Sequence, residues 1–172
     1  MRNSMAVAIT LALVVTAGLG AVDLAHADGS EIDARLVDSA TYWVNQGGSV
    51  MALSFYCEGS QPNVCRVSGH YINHQSGFNC QGTPYPLSGV YYINTQTISW
   101  SVAWSNPHED CGSVTGWTGY FDLSMSPIRL VTNWNLAYST GGSGRTIMQG
   151  QDLFTQSSTV SSESLIEEPE SQ

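Results

Sequence analysis

No lysine occurs anywhere in the 172 residues, and five arginines are set against fourteen acidic side chains, for a formal charge of −9. A phosphate backbone would be repelled by such a chain, so nucleic acid is not expected as a partner. Long apolar runs are scarce too. Past the first 27 residues, none approaches the roughly 18–20 residues that a membrane-spanning helix needs, and no membrane partner is expected. Cys-x-x-Cys pairs and recurrent Cys/His clusters are also missing. The four cysteines, Cys57, Cys65, Cys80 and Cys111, are separated by 7, 14 and 30 residues. These spacings suit no zinc site, and no metal is expected.

What is present begins with Arg2, an apolar run from Met5 to Leu19, and a small-x-small ending at Ala25, His26 and Ala27. That is the pattern of a secretory signal, residues 1–27, cleaved after Ala27. The run is too short for an anchor, and Asp23 follows it closely. Cleavage would remove Arg2 and Asp23 together and leave the charge at −9. The expected destination is secreted or periplasmic, an oxidising setting in which the cysteines form disulfides. Three connectivities are open at this point.

From Thr41 to Thr155 the chain is rich in Tyr, Trp, Val, Thr and Ser, with Gly, Pro or Asn clusters every dozen residues or so. This predicts strands rather than helices, at about 41–46, 49–57, 64–73, 86–92, 97–106, 114–122, 128–138 and 146–155. Eight sequentially paired antiparallel strands remove their edges by closing, which predicts an all-β, eight-stranded, up-and-down barrel over 41–156. Residues 28–40 read as an N-terminal extension. Residues 157–172, serine-rich and acidic, read as a solubilising tail without strand alternation.

Side-chain alternation along each strand sorts residues by face. Trp100, Val102 and Trp104 share parity, as do Leu130, Thr132, Trp134, Leu136 and Tyr138, and these faces should point inward. Polar residues recur in the same sets: Asn45 beside Trp43, Asn73 beside Tyr71, Ser113 and Thr115 beside Trp117, Asp152 beside Phe154. Burying an unpaired hydroxyl or amide costs about 1–3 kcal/mol and a carboxylate more, so a dry core would avoid this set. A polar ligand inside the barrel would satisfy it.

The segments ISWSVAWSN (98–106), SVTGWTGYF (113–121), LVTNWNLAY (130–138) and GQDLF (150–154) resemble, in this order, the last four strands of the avidin and streptavidin family. YWVNQGGS (42–49) and VSGHYIN (67–73) resemble its first hairpin and third strand. FNCQGTPYPLSG (78–89) and the cysteine of EDCGSVTGW (109–117) are similar to the short-chain dimeric avidins typified by rhizavidin. The resemblance implies tight, non-catalytic binding of biotin as a ligand, with no cofactor. It implies that Asn45, Ser49 and Tyr71 donate to the ureido oxygen, that Asn73 and Asp152 receive the ureido nitrogens, and that Thr115 meets the thioether sulfur. Trp104, Trp117 and Trp134 would box the rings, and Trp43 and Trp100 would be barrel core. The valerate would lie near Ser113 and the loop of Ser76, Gly77, Phe78 and Asn79.

The rhizavidin-like segments also imply a Cys80–Cys111 bridge, while Cys57–Cys65 follows from proximity across a hairpin. The family's tetramers take a Trp from a neighbouring subunit just before the eighth strand, and 139–149 has none. A homodimer is the expected unit. Some bacterial avidins place a C-terminal segment in a neighbour's pocket, and Leu165–Ile166 within the acidic tail has the form of such a segment, a route to higher assembly. Two other function classes compete with biotin binding. A lipocalin-like carrier of another small molecule would not need Asp152, Asn45 and Asn73 together. An enzyme built on His108, Glu109 and Asp110 lacks a histidine in the inward set, so no catalytic residue is assigned.

Overall fold

In the computed structural model, Leu36 and residues 41–58 and 63–157 are described. Residues 1–27, where the signal is expected, nearly all of 28–40, residues 59–62 and those beyond Ser157 lie outside them. The strands are β1 (Thr41–Asn45), β2 (Val50–Cys57), β3 (Val64–Ile72), β4 (Pro84–Tyr92), β5 (Thr97–Ser105), β6 (Asp110–Asp122), β7 (Arg129–Gly141) and β8 (Gly144–Ser157). Each pairs antiparallel with the next, and β1 closes on β8, with Asn45 opposite Phe154 as the last pair of that seam. The expected barrel is therefore the observed one.

Strand ends shift by a few residues, notably in β4, β7 and β8, and three further details differ from the expectation. β6 starts at Asp110 rather than 114, because Ser105 pairs with Asp110 beyond a bulge after Ala103. The Asn106 side-chain oxygen makes this tight return possible by accepting from the His108 and Glu109 amides at 2.9 and 2.8 Å. A single 3-10 turn, Ile93–Thr95, joins β4 to β5. Leu36, which the sequence reading leaves in the extension, is fully buried in the core.

Strand alternation fills the barrel interior in two tiers. The end where β1 begins is plugged by aromatics: Phe121 lies 5.2 Å from Trp43, 5.5 Å from Tyr91 and 6.2 Å from Phe55. Inward glycines let strands approach these large neighbours: a Cβ on Gly89 would collide with the Trp100 backbone and side chain. Above this plug sit Tyr71, Trp100, Trp104, Trp117 and Phe154, and the opposite end of the barrel remains open as a cavity.

Candidate functional site

The cavity occupies about 640 Å³ at the end formed by the β1–β2 turn, the β3–β4 connection and the β7–β8 hairpin. Its floor and walls are rings fixed against one another. Trp117 stacks on Trp100 at 5.5 Å with planes 7° apart, and Tyr71 lies 5.1 Å from Trp117. Trp104 stands edge-on to Tyr71 at 5.7 Å, and its indole N–H donates to Thr115 Oγ1 at 2.7 Å, so that hydroxyl is held at the wall. Trp134 pairs across the sheet with Gly150, and a Cβ there would strike its indole ring. The missing side chain is what lets that ring lie against β8.

The polar set collects on one side. Asn45 ends β1, and its side-chain oxygen is consumed by the turn, accepting from the amides of Gly47 at 3.0 Å and Ser49 at 2.8 Å. Its Nδ2 is thereby aimed inward, 3.4 Å from the Tyr71 hydroxyl and 3.2 Å from Asp152 Oδ1. Ser49 Oγ accepts from the His74 amide at 3.0 Å and donates to Asn73 Oδ1 over a long 3.4 Å. Asn73 Oδ1 also accepts from the Gln75 amide at 2.9 Å. Donors from β1, the β1–β2 turn and β3 thus converge, and Asp152 on β8 faces them as acceptor.

Asp152 is half-buried, and burial raises its pKa above the usual carboxylate range, against the opposing pull of hydrogen bonds from Trp117, Asn45 and Gln46. The Trp117 indole N–H donates to Oδ2 at 2.8 Å. Tyr71 is buried, and burial together with the nearby Asp152 charge pushes its hydroxyl far above the usual phenol range, so it stays a donor at every physiological pH.

The mouth is bordered by Gln75, Gly77, Phe78 and Asn79 from the β3–β4 connection. The Gln81 side-chain amide donates to the Gln75 and Phe78 carbonyls at 2.8 and 2.6 Å, and the Cys80–Cys111 disulfide ties the connection to the start of β6. Cys57–Cys65 joins two directly paired residues of β2 and β3. Both pairings agree with those expected. Glu109 lies beside the Cys80–Cys111 bridge, but both sulfurs are oxidised and offer a metal no thiolate.

Of the residues expected in the site, Asn45, Ser49, Tyr71, Asn73, Gly77, Phe78, Asn79, Trp104, Ser113, Thr115, Trp117, Trp134 and Asp152 line this one cavity. Ser76, expected in the same loop as Phe78, does not. Trp43 and Trp100 are buried in the core. His108 and Glu109 are exposed on the β5–β6 turn and Asp110 at the first position of β6. Sequence reasoning missed Gln46, Gln75, Gln151 and Met148, which also line the cavity. Gln46 directly follows Asn45, so its parity is opposite and alternation discards it.

A model described as the avidin family matches residues 34–157. Hoefavidin from Hoeflea phototrophica is 46% identical over 168 residues, covering 98% of this chain and all of its own. The fold is similar to a short afifavidin–biotin complex, with TM-score 0.63 and 43% identity over 74% of this chain and 97% of that one. It is also similar to a rhizavidin–biotin complex, with TM-score 0.62 and 41% identity over 73% and 98%. A closed eight-stranded barrel, a cavity with this polar set and a match across its whole length together make the chain a member of the avidin family.

Proposed function

We propose that the chain binds biotin in this cavity and catalyses nothing. The observation that carries the reading is the arrangement of Asn45 Nδ2, the Ser49 hydroxyl and the Tyr71 hydroxyl as donors facing the Asp152 carboxylate within one indole-walled cavity. A cyclic urea offers the complement, a carbonyl oxygen flanked by N–H groups. The similarity to proteins solved as biotin complexes supports the same ligand. Three donors on the ureido oxygen would polarise it as an oxyanion hole does, and the charged Asp152 would accept from one ureido N–H as a stronger, charge-assisted partner. Asn73 Oδ1 is already engaged by Gln75 and Ser49. As Ser49 swings its long bond over to the ureido oxygen, Asn73 regains an acceptor site for the second N–H. Thr115 would meet the sulfur, Trp104, Trp117 and Trp134 would enclose the bicycle and chain, and Ser113 with Phe78 and Asn79 would receive the valerate.

The assembly we infer is a secreted homodimer. Its support is a pair of apolar cross-strand rows on the outer face of β6–β8, Val114–Ala137–Ile147 and Tyr120–Val131–Leu153, exposed at Val114, Ile147, Tyr120 and Leu153 and half-buried at Ala137 and Val131, with the polar rows of Asn135 and Asn133 between them.

The test is retention of the protein on biotin-agarose, followed by calorimetry on Asn45→Ala and Asp152→Ala. Each should weaken binding by about 2–3 kcal/mol, the range for losing a hydrogen bond to a charged or buried partner. Failure of the native protein to bind, or silence of both substitutions, would overturn the assignment.

A further inference from the structure

Gln46 is exposed and lies just past the end of the β1–β8 ladder, whose last pair is Asn45 with Phe154. Its side-chain amide nevertheless makes three bonds to consecutive residues of β8. Nε2 donates to the Gln151 carbonyl at 3.0 Å and to Asp152 Oδ1 at 3.3 Å, and Oε1 accepts from the Leu153 amide at 2.8 Å. A primary amide carries the same donor and acceptor as a peptide group. Here it extends the ladder by one step, gripping the backbone on both sides of Asp152 and the carboxylate between them.

We propose that Gln46 is a positioning residue that holds Asp152 to receive a ureido N–H of biotin. The proposal rests on the biotin reading above. The Asp152 carboxylate has three partners: Trp117 on Oδ2, and Asn45 and Gln46 on Oδ1. Asn45 Nδ2 is also one of the donors that biotin's ureido oxygen would draw on. Once it turns to the ligand, Gln46 is left as the protein donor that keeps Oδ1 oriented. A residue that served only to brace the turn would not need its bonds to fall on 151, 152 and 153 together. Among the described residues, the titratable side chains lining the cavity besides Asp152 are Tyr71 on β3 and Tyr138 on β7, and no Arg, His or Glu lines it. The charge state of Asp152 thus depends mainly on its burial and its donors.

The test uses the full chain with Gln46→Met, similar in length and without hydrogen-bonding groups, Gln46→Glu, Asp152→Ala, and Gln46→Met combined with Asp152→Ala. Biotin dissociation is followed by displacement of a labelled biotin. Gln46→Met should speed dissociation about 10–100-fold, the value of one charge-assisted bond. In the Asp152→Ala background the same change should alter the rate less than about twofold, since its route of action is gone. The pH at which affinity falls should move upward in Gln46→Met and further in Gln46→Glu, where a second carboxyl faces Asp152. Equal factors in both backgrounds, or an unmoved pH profile, would reduce Gln46 to a turn brace. Native protein that binds biotin while Gln46→Met is silent overturns this inference alone. Native protein that does not bind biotin overturns the functional reading, and the inference with it.

Discussion

At Asp152, burial and hydrogen bonding act in opposite directions on one proton. Burial wins in the ligand-free protein, and the folded pKa stands above its unfolded value. Between those two values the fold holds the proton more tightly than the unfolded chain does, so this group stabilises the empty barrel as pH falls through its folded pKa. In the proposed binding mode Asp152 receives a ureido N–H in its ionised form, so affinity should fall as pH falls over the same window. Scanning calorimetry and titration calorimetry on native protein and Asp152→Asn should show both trends in the former and neither in the difference attributable to Asp152 in the latter. A second residue-scale expectation concerns Gly150. Ala there displaces the Trp134 ring, and overpacking of this kind costs about 1–3 kcal/mol. The ring's way out is the cavity, so titration calorimetry should find biotin affinity reduced by about tenfold or more, with the barrel still folded by circular dichroism. Parity alone found Asn45, Asn73, Thr115 and Asp152, because each alternates with an aromatic that must face inward. Ser49, Phe78 and Asn79 sit in turns where alternation stops, and only the family resemblance pointed to them. Gln46 was legible to neither, because an outward residue that curls back over a strand end leaves no periodic trace.

The elements with a buried face were placed closely by the sequence, β5 to within a residue at one end. β7 ends later and β8 begins earlier than expected because their shared hairpin, Ser139–Gly144, is largely solvated, where nothing forces an alternation of polar and apolar residues, while β8 also continues to Ser157 by pairing with Tyr42 of β1. The two disulfides act on different ends of the barrel. Cys57–Cys65 staples neighbouring strands by the aromatic plug, whereas Cys80–Cys111 anchors the connection that borders the cavity mouth. Loop-closure entropy assigns about 2.5 kcal/mol to the short bridge and about 3.5–4 kcal/mol to the long one. Replacing Cys57 and Cys65 by Ser should lower stability in urea titrations and leave biotin dissociation unchanged. Replacing Cys80 and Cys111 should lower stability more and also speed dissociation, because Gln75–Asn79 lose their tether. Equal dissociation rates in the two double variants would contradict this division of labour.

On the scale of the whole molecule, the two apolar rows on the outer face of β6–β8 stand out on a chain of net charge −9. Ile147 is 68% exposed and Tyr120 51% exposed, an arrangement that asks for a partner surface. If two copies pair through these rows, Ile147→Glu places a carboxylate within a desolvated contact, and light scattering should report a monomer where the native protein is a dimer. An unchanged dimer would place the contact elsewhere. The barrel also has a direction. Thr41 starts and Ser157 ends the closing seam side by side at the plugged end, while the cavity opens at the other. With no lysine in the sequence, no face of the barrel carries a side-chain amine. Amine-directed labels and supports would therefore leave the barrel wall and the rim of the cavity chemically untouched.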